Sequence, residues 1–170
     1  MIKCIPFPTL ETERLVLRQL DASDENEIFR LRSDEKVNEF LDRPKANTLD
    51  DAKRFIEKIA KGINNNENLY WAITLKNEKK LIGTICLWSF SLEKNSAEIG
   101  YELLPDFQGK GFMHEAIKAV VEYGFKTMKL DAIDAFTHPR NIKSIKIAER
   151  NGFVYEKETD DGVIYSLKNK

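Results

Sequence analysis

One stretch constrains the fold more than any other, Leu103-Leu104-Pro105-Asp106-Phe107-Gln108-Gly109-Lys110-Gly111-Phe112-Met113. A strand pattern ends there, two glycines follow, and a helical pattern starts at once. Glycine lets the backbone approach a ligand with no Cβ in the way. The free N–H groups of a helix start face an anion, helped by the helix dipole. Lys110 adds a point charge. The segment suits a phosphate or pyrophosphate, or it is only a turn joining strand to helix. A P-loop would need Ser or Thr after the lysine, and Gly111 stands there. A Rossmann loop would need a third glycine at His114 and a βαβ setting. Neither matches.

The flanking patterns place this segment in a mixed fold. Glu13 to Leu20 reads as a strand, and Asp21 caps a helix that runs to about Arg32. Asp42 to Lys45 is a loop. Thr48 caps a second helix, in which Ala52, Phe55, Ile56, Ile59, Ala60 and Ile63 recur at helical spacing. Tyr70 to Leu75, Leu81 to Phe90 and Ala97 to Leu104 read as an antiparallel meander with polar turns between. On the last of these, Ala97, Ile99, Tyr101 and Leu103 share one face, and Glu98, Gly100 and Glu102 share the other. Gly109 to Met128 is a long helix. Its inner stripe is Met113, Ala116, Ile117, Val120, Val121 and Gly124. Its outer stripe includes His114, Glu115, Lys118 and Glu122. Leu130 to Thr137 is a strand and Asn141 to Arg150 a helix ended by Gly152. Phe153 to Glu158 and Val163 to Leu167 pair around Asp160-Asp161-Gly162. The order β-α-α-β-β-β-α-β-α-β-β is a mixed α/β fold, one layer of sheet with helices on its faces.

Residues 1–170 are read as one domain, a length that supports a real core. The net charge is -1, and basic residues are spread along the chain, which argues against nucleic acid as a partner. Met1 to Leu10 has no apolar stretch of the kind a signal peptide needs, and no run is long enough to span a membrane. The two cysteines, Cys4 and Cys86, form no C-x-x-C pair, and no His/Cys group has zinc spacing. Cys86 is a catalytic thiol or, on its neighbours, a small apolar filler of a strand. The reading is a cytoplasmic protein without a metal.

Gln108-Gly109-Lys110-Gly111-Phe112-Met113 resembles the Q/R-x-x-G-x-G/A motif of the GNAT N-acetyltransferases, whose loop cradles the pyrophosphate of coenzyme A. Asn141-Ile142-Lys143-Ser144 with Glu149-Arg150-Asn151-Gly152-Phe153 resembles the downstream motif of that superfamily. Leu10-Glu11-Thr12-Glu13-Arg14-Leu15-Val16-Leu17-Arg18 resembles the opening strand of its RimJ/RimL-like branch, which includes enzymes that acetylate N-terminal amines of ribosomal proteins. The resemblance covers residue 10 to the end. It implies the GNAT fold, a mostly antiparallel sheet of about seven strands flanked by about four helices. It also implies acetyl-CoA as cosubstrate and direct transfer of an acetyl group to an amine. Two positions depart from the pattern. Met113 ends the loop motif where Gly or Ala is usual. Ala148 stands where many members carry a tyrosine acid, and Ser144 matches a serine given that role in the RimJ/RimL-like branch.

Acetyl transfer to an amine needs a base, donors for the carbonyl oxygen, and a group to meet the departing thiolate. Glu98 is the first candidate base, since it resembles the glutamate base of some members, and Glu102 is the second. Each is otherwise a solvated strand residue. Backbone N–H groups of Leu103 and Leu104 are expected to meet the oxyanion and the pantetheine arm, or else to pair in the ladder. The resemblance places Asn141 against pantetheine, and the residue type equally suits a helix cap. Ser144 is expected to meet the sulfur or to bond back to its helix. The cofactor contacts are therefore Leu103, Leu104, Gln108, Gly109, Lys110, Gly111, Phe112, Met113, Asn141 and Ser144. His114 and His138 read better as solvated and structural residues than as bases. Trp71, Trp88, Phe90 and Tyr101 belong to the core or line an acceptor pocket. The acceptor is a protein N-terminus or a small-molecule amine such as a polyamine or an antibiotic. A non-catalytic acyl-CoA-binding module is the rival from another class. The chain is read as a monomer or homodimer.

Overall fold

The computed structural model describes residues 2–170; Met1, part of the N-terminal stretch discussed above, lies outside them. Two short strands come first, β1 (Leu10–Glu11) and β2 (Leu15–Gln19). The helices that follow start from polar caps. Asp21 accepts from the Ser23 amide, and the Asp24 carboxylate accepts from the Asp21 amide at 2.9 Å. The chain therefore enters through a 3-10 turn, Ala22–Asp24, before α1 (Glu25–Ser33) begins. Asp24 is buried and also binds Arg18 at 2.7 Å, which ties this turn to β2. A single turn, α2 (Glu35–Asn38), starts where Asp34 caps the Val37 amide at 2.9 Å. Thr48 and Asp51 cap each other's amides at the start of α3 (Leu49–Asn64). Such a cap contributes about 1 kcal/mol.

The meander follows as expected: β3 (Leu69–Leu75), β4 (Leu81–Ser91) and β5 (Ser96–Leu103). Beyond a short 3-10 turn lie α4 (Phe112–Lys126), β6 (Ala132–Thr137), α5 (Ile142–Arg150), β7 (Val154–Thr159) and β8 (Gly162–Lys168). Among the described residues, eight strands form one sheet in the order β1-β2-β3-β4-β5-β6-β8-β7. Every pairing is antiparallel except β5 with β6. Among the described residues the sheet is thus mixed and mostly antiparallel, with eight strands where about seven were expected and five α-helices where about four were expected. The extra elements, β1 and α2, are too short to show a hydrophobic period.

The helices divide between the faces. On one face α4 packs over the centre: Gly124 sits against Ile133, and Tyr123 meets the fully buried Trp71 edge-on at 6.1 Å. α5 lies on the same face, its Ser144 bonded to Tyr101. On the other face α1 and α3 cover β2 to β4, with Phe55 against Tyr70 at 5.7 Å. The rest of that face stays open, and Trp88, Phe136 and Val154 remain 50%, 46% and 69% exposed. No helix among the described residues is long and apolar enough to cross a membrane.

The parallel ladder between β5 and β6 is short. It pairs Ser96 to Ile99 with Ala132 to Ala135 and then stops. β5 continues to Leu103 beside β4, while β6 continues beside β8. The two strands part, and a wedge opens between them. The β4–β5 ladder holds this edge in register, and Gly83 opposite Leu103 keeps it close. A Cβ at Gly83 would run into the Glu102 carbonyl oxygen and the Leu103 side chain. Gly83→Ala is therefore expected to lower stability by about 1–3 kcal/mol through overpacking, read as a lower midpoint in urea unfolding with an unchanged slope.

Candidate functional site

The turn at the mouth of the wedge is held from both sides. The Gln108 side-chain amide donates to the Leu103 carbonyl at 2.9 Å, which folds the turn back onto the end of β5. Gly109 and Gly111 take φ of 78° and 81°, the left-handed region that a side chain disfavours. Gly111 caps α4 with no side chain serving its first turn. The first bond of the helix is from Glu115 N–H to the Gly111 carbonyl. The amides of Gly109 through His114 therefore have no hydrogen-bond partner among the described residues. A helix N-terminus with this many free donors attracts an anion. Met113 is 6% exposed, its side chain in the core, so only its backbone faces the loop. The departure from Gly or Ala at this position puts no bulk in the ligand's path.

Arg14 reaches this loop from the start of β2. Its Nε lies 2.7 Å from Glu115 Oε2, and its backbone amide donates to Glu115 Oε1 at 2.7 Å. Its Nη1 donates to the Lys110 carbonyl at 3.0 Å, and its guanidinium lies 4.4 Å from the centre of the Phe112 ring. The Thr12 hydroxyl also donates to Glu115. Burial works against the charged Glu115 carboxylate, but the Thr12 hydroxyl and the Arg14 amide and guanidinium outweigh it and hold its pKa below the ordinary value. Glu115 was expected on the solvated stripe of the helix. It is instead half-buried and faces β2, because α4 packs close to the start of that strand.

The backbone edge of β5 differs at its two leucines. The Leu104 N–H donates to the Ile82 carbonyl at 2.8 Å, so the open donor expected there is already used on β4. N–H directions alternate along a strand. The amides of Tyr101 and Leu103 therefore point to the side that β6 has left. Asn141 begins α5, its Oδ1 accepting from the Ser144 amide at 3.2 Å, and its Nδ2 has no partner among the described residues. The cap and a contact through the amide nitrogen are compatible. The Tyr101 phenol donates to the Ser144 carbonyl at 3.1 Å, and the two hydroxyls are 3.2 Å apart. Burial raises the Tyr101 pKa, so the phenol stays protonated near neutral pH. Ala148 is buried in α5 and offers no proton.

The two glutamates of β5 sit in different surroundings. Glu102 is paired with Arg43 at 2.6 Å, and its side chain is nearly buried. Thr84 donates to it at 3.4 Å and contacts the Tyr70 hydroxyl at 3.1 Å. Arg43 also donates to Asn38 at 2.9 Å, and Asn38 in turn bonds the Leu31 and Asp34 carbonyls. Glu102 thus anchors the loop after α2 over the sheet. Glu98 has no ion-pair partner among the described residues. Burial raises its pKa above the ordinary carboxylate value; the nearby Ser89 hydroxyl pulls against this and Asp134 adds to it. Burial pushes the Cys86 thiol up to about 12, which suits the strand-filler reading and not a nucleophile. His138 accepts from the Arg140 amide at 3.0 Å and stacks on Phe40 at 5.4 Å, closing the far side of the wedge. His114 is exposed. Trp71 is core, while Trp88 stands on the open face. Among the described residues no group of three or more His, Cys, Asp and Glu side chains could hold a metal.

Arg14 and Arg43 bear on this site without having been picked out in the sequence, and Tyr101, read there as core or acceptor-pocket lining, bonds Ser144. Arg14 lies in the opening motif, yet nothing in one dimension says that it meets a helix a hundred residues later. Arg43 lies in a polar loop with no period.

Comparison with known proteins identifies the family and the fold. The family model described as the acetyltransferase (GNAT) domain matches residues 14–154. The chain is 33% identical over 150 residues to the uncharacterized N-acetyltransferase YoaA of Bacillus subtilis (strain 168), over 88% of this chain and 85% of that protein. The fold superposes on ribosomal-protein-S5-alanine acetyltransferase from Vibrio fischeri with a TM-score of 0.80 and 26% identity, over 96% of this chain and 97% of that one. It superposes equally, at 0.80 and 26% identity, on the microcin C7 self immunity acetyltransferase MccE in complex with acetyl-CoA and AMP, over 93% and 94% of the two chains.

Arg14 is exposed enough that losing its ion pair should cost no more than about 1 kcal/mol of stability. Its larger effect should fall on the loop. Arg14→Ala is expected to weaken coenzyme A binding about tenfold by calorimetry, an effect of about 1.4 kcal/mol. Unchanged affinity would remove Arg14 from the loop's support.

Proposed function

The chain belongs to the GNAT acetyltransferase family, and we propose that its wedge receives acetyl-CoA from the α4 and α5 face while the acceptor amine approaches across the open face. The family uses acetyl-CoA and acetylates amines. The observation that carries the reading is the row of unpartnered amides from Gly109 to His114, beside the unpaired edge of β5. These groups suit a pyrophosphate followed by an amide-bearing arm. Lys110 adds charge at the mouth. The Leu103 and Tyr101 amides pair with the arm and meet the charge that develops on the carbonyl oxygen. The Asn141 Nδ2 supplies a further donor. When bound, acetyl-CoA supplies the thioester whose acetyl group is transferred.

Glu98 is the base. It is on the open face, its carboxylate is free of any cation, and its raised pKa makes it a better proton acceptor than an ordinary glutamate. Glu102 is held by Arg43 and serves to position the loop above it. Ser144, held by Tyr101, meets the departing sulfur in place of the tyrosine that Ala148 replaces. The acceptor has two readings. Likeness to a ribosomal-protein acetyltransferase supports a protein N-terminus. The carboxylates on the open face support a small cationic amine, and we follow the geometry.

Release of free thiol from acetyl-CoA over a panel of amines tests transfer. Glu98→Gln is expected to lower kcat at least about a hundredfold. The base works as carboxylate, so activity is lost as pH falls through its raised pKa. The acid limb of kcat should therefore lie above the ordinary carboxylate value and vanish in Glu98→Gln. Stabilisation by acetyl-CoA with no thiol released from any amine would replace transfer by binding alone.

A further inference from the structure

The open sheet face carries a row of side chains that transfer itself does not require. The register places Trp88 of β4 opposite Glu98 of β5, Glu98 beside Asp134 of β6, and Asp134 opposite Ser166 of β8. Side chains on neighbouring strands at one register position share a face about 4.8 Å apart. Glu98, Asp134 and Ser166 therefore stand in line across about 10 Å. Neither carboxylate has an ion-pair partner among the described residues. Ser166 is 7% exposed, and its hydroxyl has no hydrogen-bond partner; the same holds for the buried Asp134 Oδ1. Buried polar atoms without partners cost free energy unless something fills the gap. Trp88 is 50% exposed at one end of the row, and Phe136, one residue pair along β6, is 46% exposed. Aromatic faces beside carboxylates favour an alkylammonium over a bare ion.

We propose that Asp134 and Ser166, with Trp88 at the edge, form a subsite for a second ammonium group of the acceptor, so that the enzyme prefers small diamines or polyamines. Glu98 takes the proton of the amine that reacts, and Asp134 holds the ammonium that does not. Ser166 orients that ammonium by accepting one of its hydrogens. The assignment rests on acetyl transfer at the wedge as described above.

The test compares butane-1,4-diamine and spermidine with butylamine, by calorimetry in the presence of coenzyme A and by steady-state kinetics. The native protein should bind the diamine at least about tenfold tighter than the monoamine, a gap of about 1.4 kcal/mol. Asp134→Asn should raise KM for the diamine about tenfold more than KM for butylamine, while any change in kcat is shared by the two amines, because the carboxylate beside Glu98 is lost for both. Ser166→Ala should act in the same direction, more weakly, and it guards against misfolding of the first variant. Stabilisation by coenzyme A should persist in both. Equal effects on monoamine and diamine would overturn the subsite, as would a neutral peptide N-terminus acetylated in preference to every diamine. If the diamine preference in binding holds while no amine releases thiol, transfer fails and the subsite stands. If transfer proceeds with no preference, the subsite fails and transfer stands.

Discussion

The parting of β5 from β6 after Ile99 is the constraint on which the rest depends. A strand buried in a sheet normally finds partners on both sides, because an unpaired buried amide costs about 1–3 kcal/mol. Here β4 holds one edge of β5 to its end, while β6 leaves the other edge after Ala135. The amides of Tyr101 and Leu103 are left facing a gap. A ligand that supplies acceptors along this edge removes that cost. The chain spends structure to keep the gap open. Gln108 occupies the Leu103 carbonyl, Ser144 occupies the Tyr101 phenol, and Phe40 stacks on His138 across the far side. Of these, the Gln108 contact takes up a backbone group that could otherwise pair with a neighbouring strand.

The same parting explains why two glutamates four residues apart, Glu98 and Glu102, have different surroundings. Glu102 lies beyond the last parallel pair, where the loop after α2 reaches over the sheet and brings Arg43 to it. Glu98 lies within the paired stretch, where its neighbour on β6 is another carboxylate. One environment delivers a cation and the other a like charge. The Glu102 carboxylate is committed to the Arg43 guanidinium at 2.6 Å, whereas burial, with the neighbouring Asp134 adding to it, raises the Glu98 pKa. The difference in surroundings follows from strand register, not from the residues themselves, which are both glutamate on one face of one strand.

Most of the fold was legible because its long elements carry clear periods and clear stops. The meander, the long helix after the glycines and the last hairpin all stand within a few residues of where the sequence put them. β1 and α2 were missed because two to four residues carry no period. Asp21 caps the first helical segment as its residue type suggested, and the one feature not legible there is that the segment opens as a 3-10 turn, with the Asp24 carboxylate on Arg18 and the Asp21 amide. In the site, the glycine loop was legible because positive φ and an uncapped helix start leave a local trace. Leu104 was not, since the direction of an amide depends on which neighbour the strand keeps. Arg14 and Glu115 were not, since their meeting is a matter of how α4 lies on β2.

That meeting also bears on why a loop with two left-handed glycines can be an effective binding element. Free glycines gain entropy when unbound, and a loose loop loses affinity on ordering. Arg14 counters this by contacting three points at once: the Lys110 carbonyl, the Phe112 ring and both oxygens of Glu115. Lys110 lies between the two glycines, so its carbonyl fixes the one peptide that their freedom would most disturb. The remaining amides are left unbonded yet held in place. A cofactor then meets donors that are already aligned, and less of its binding energy is lost in ordering them. The opening strand of the chain thus acts on the glycine loop as a brace.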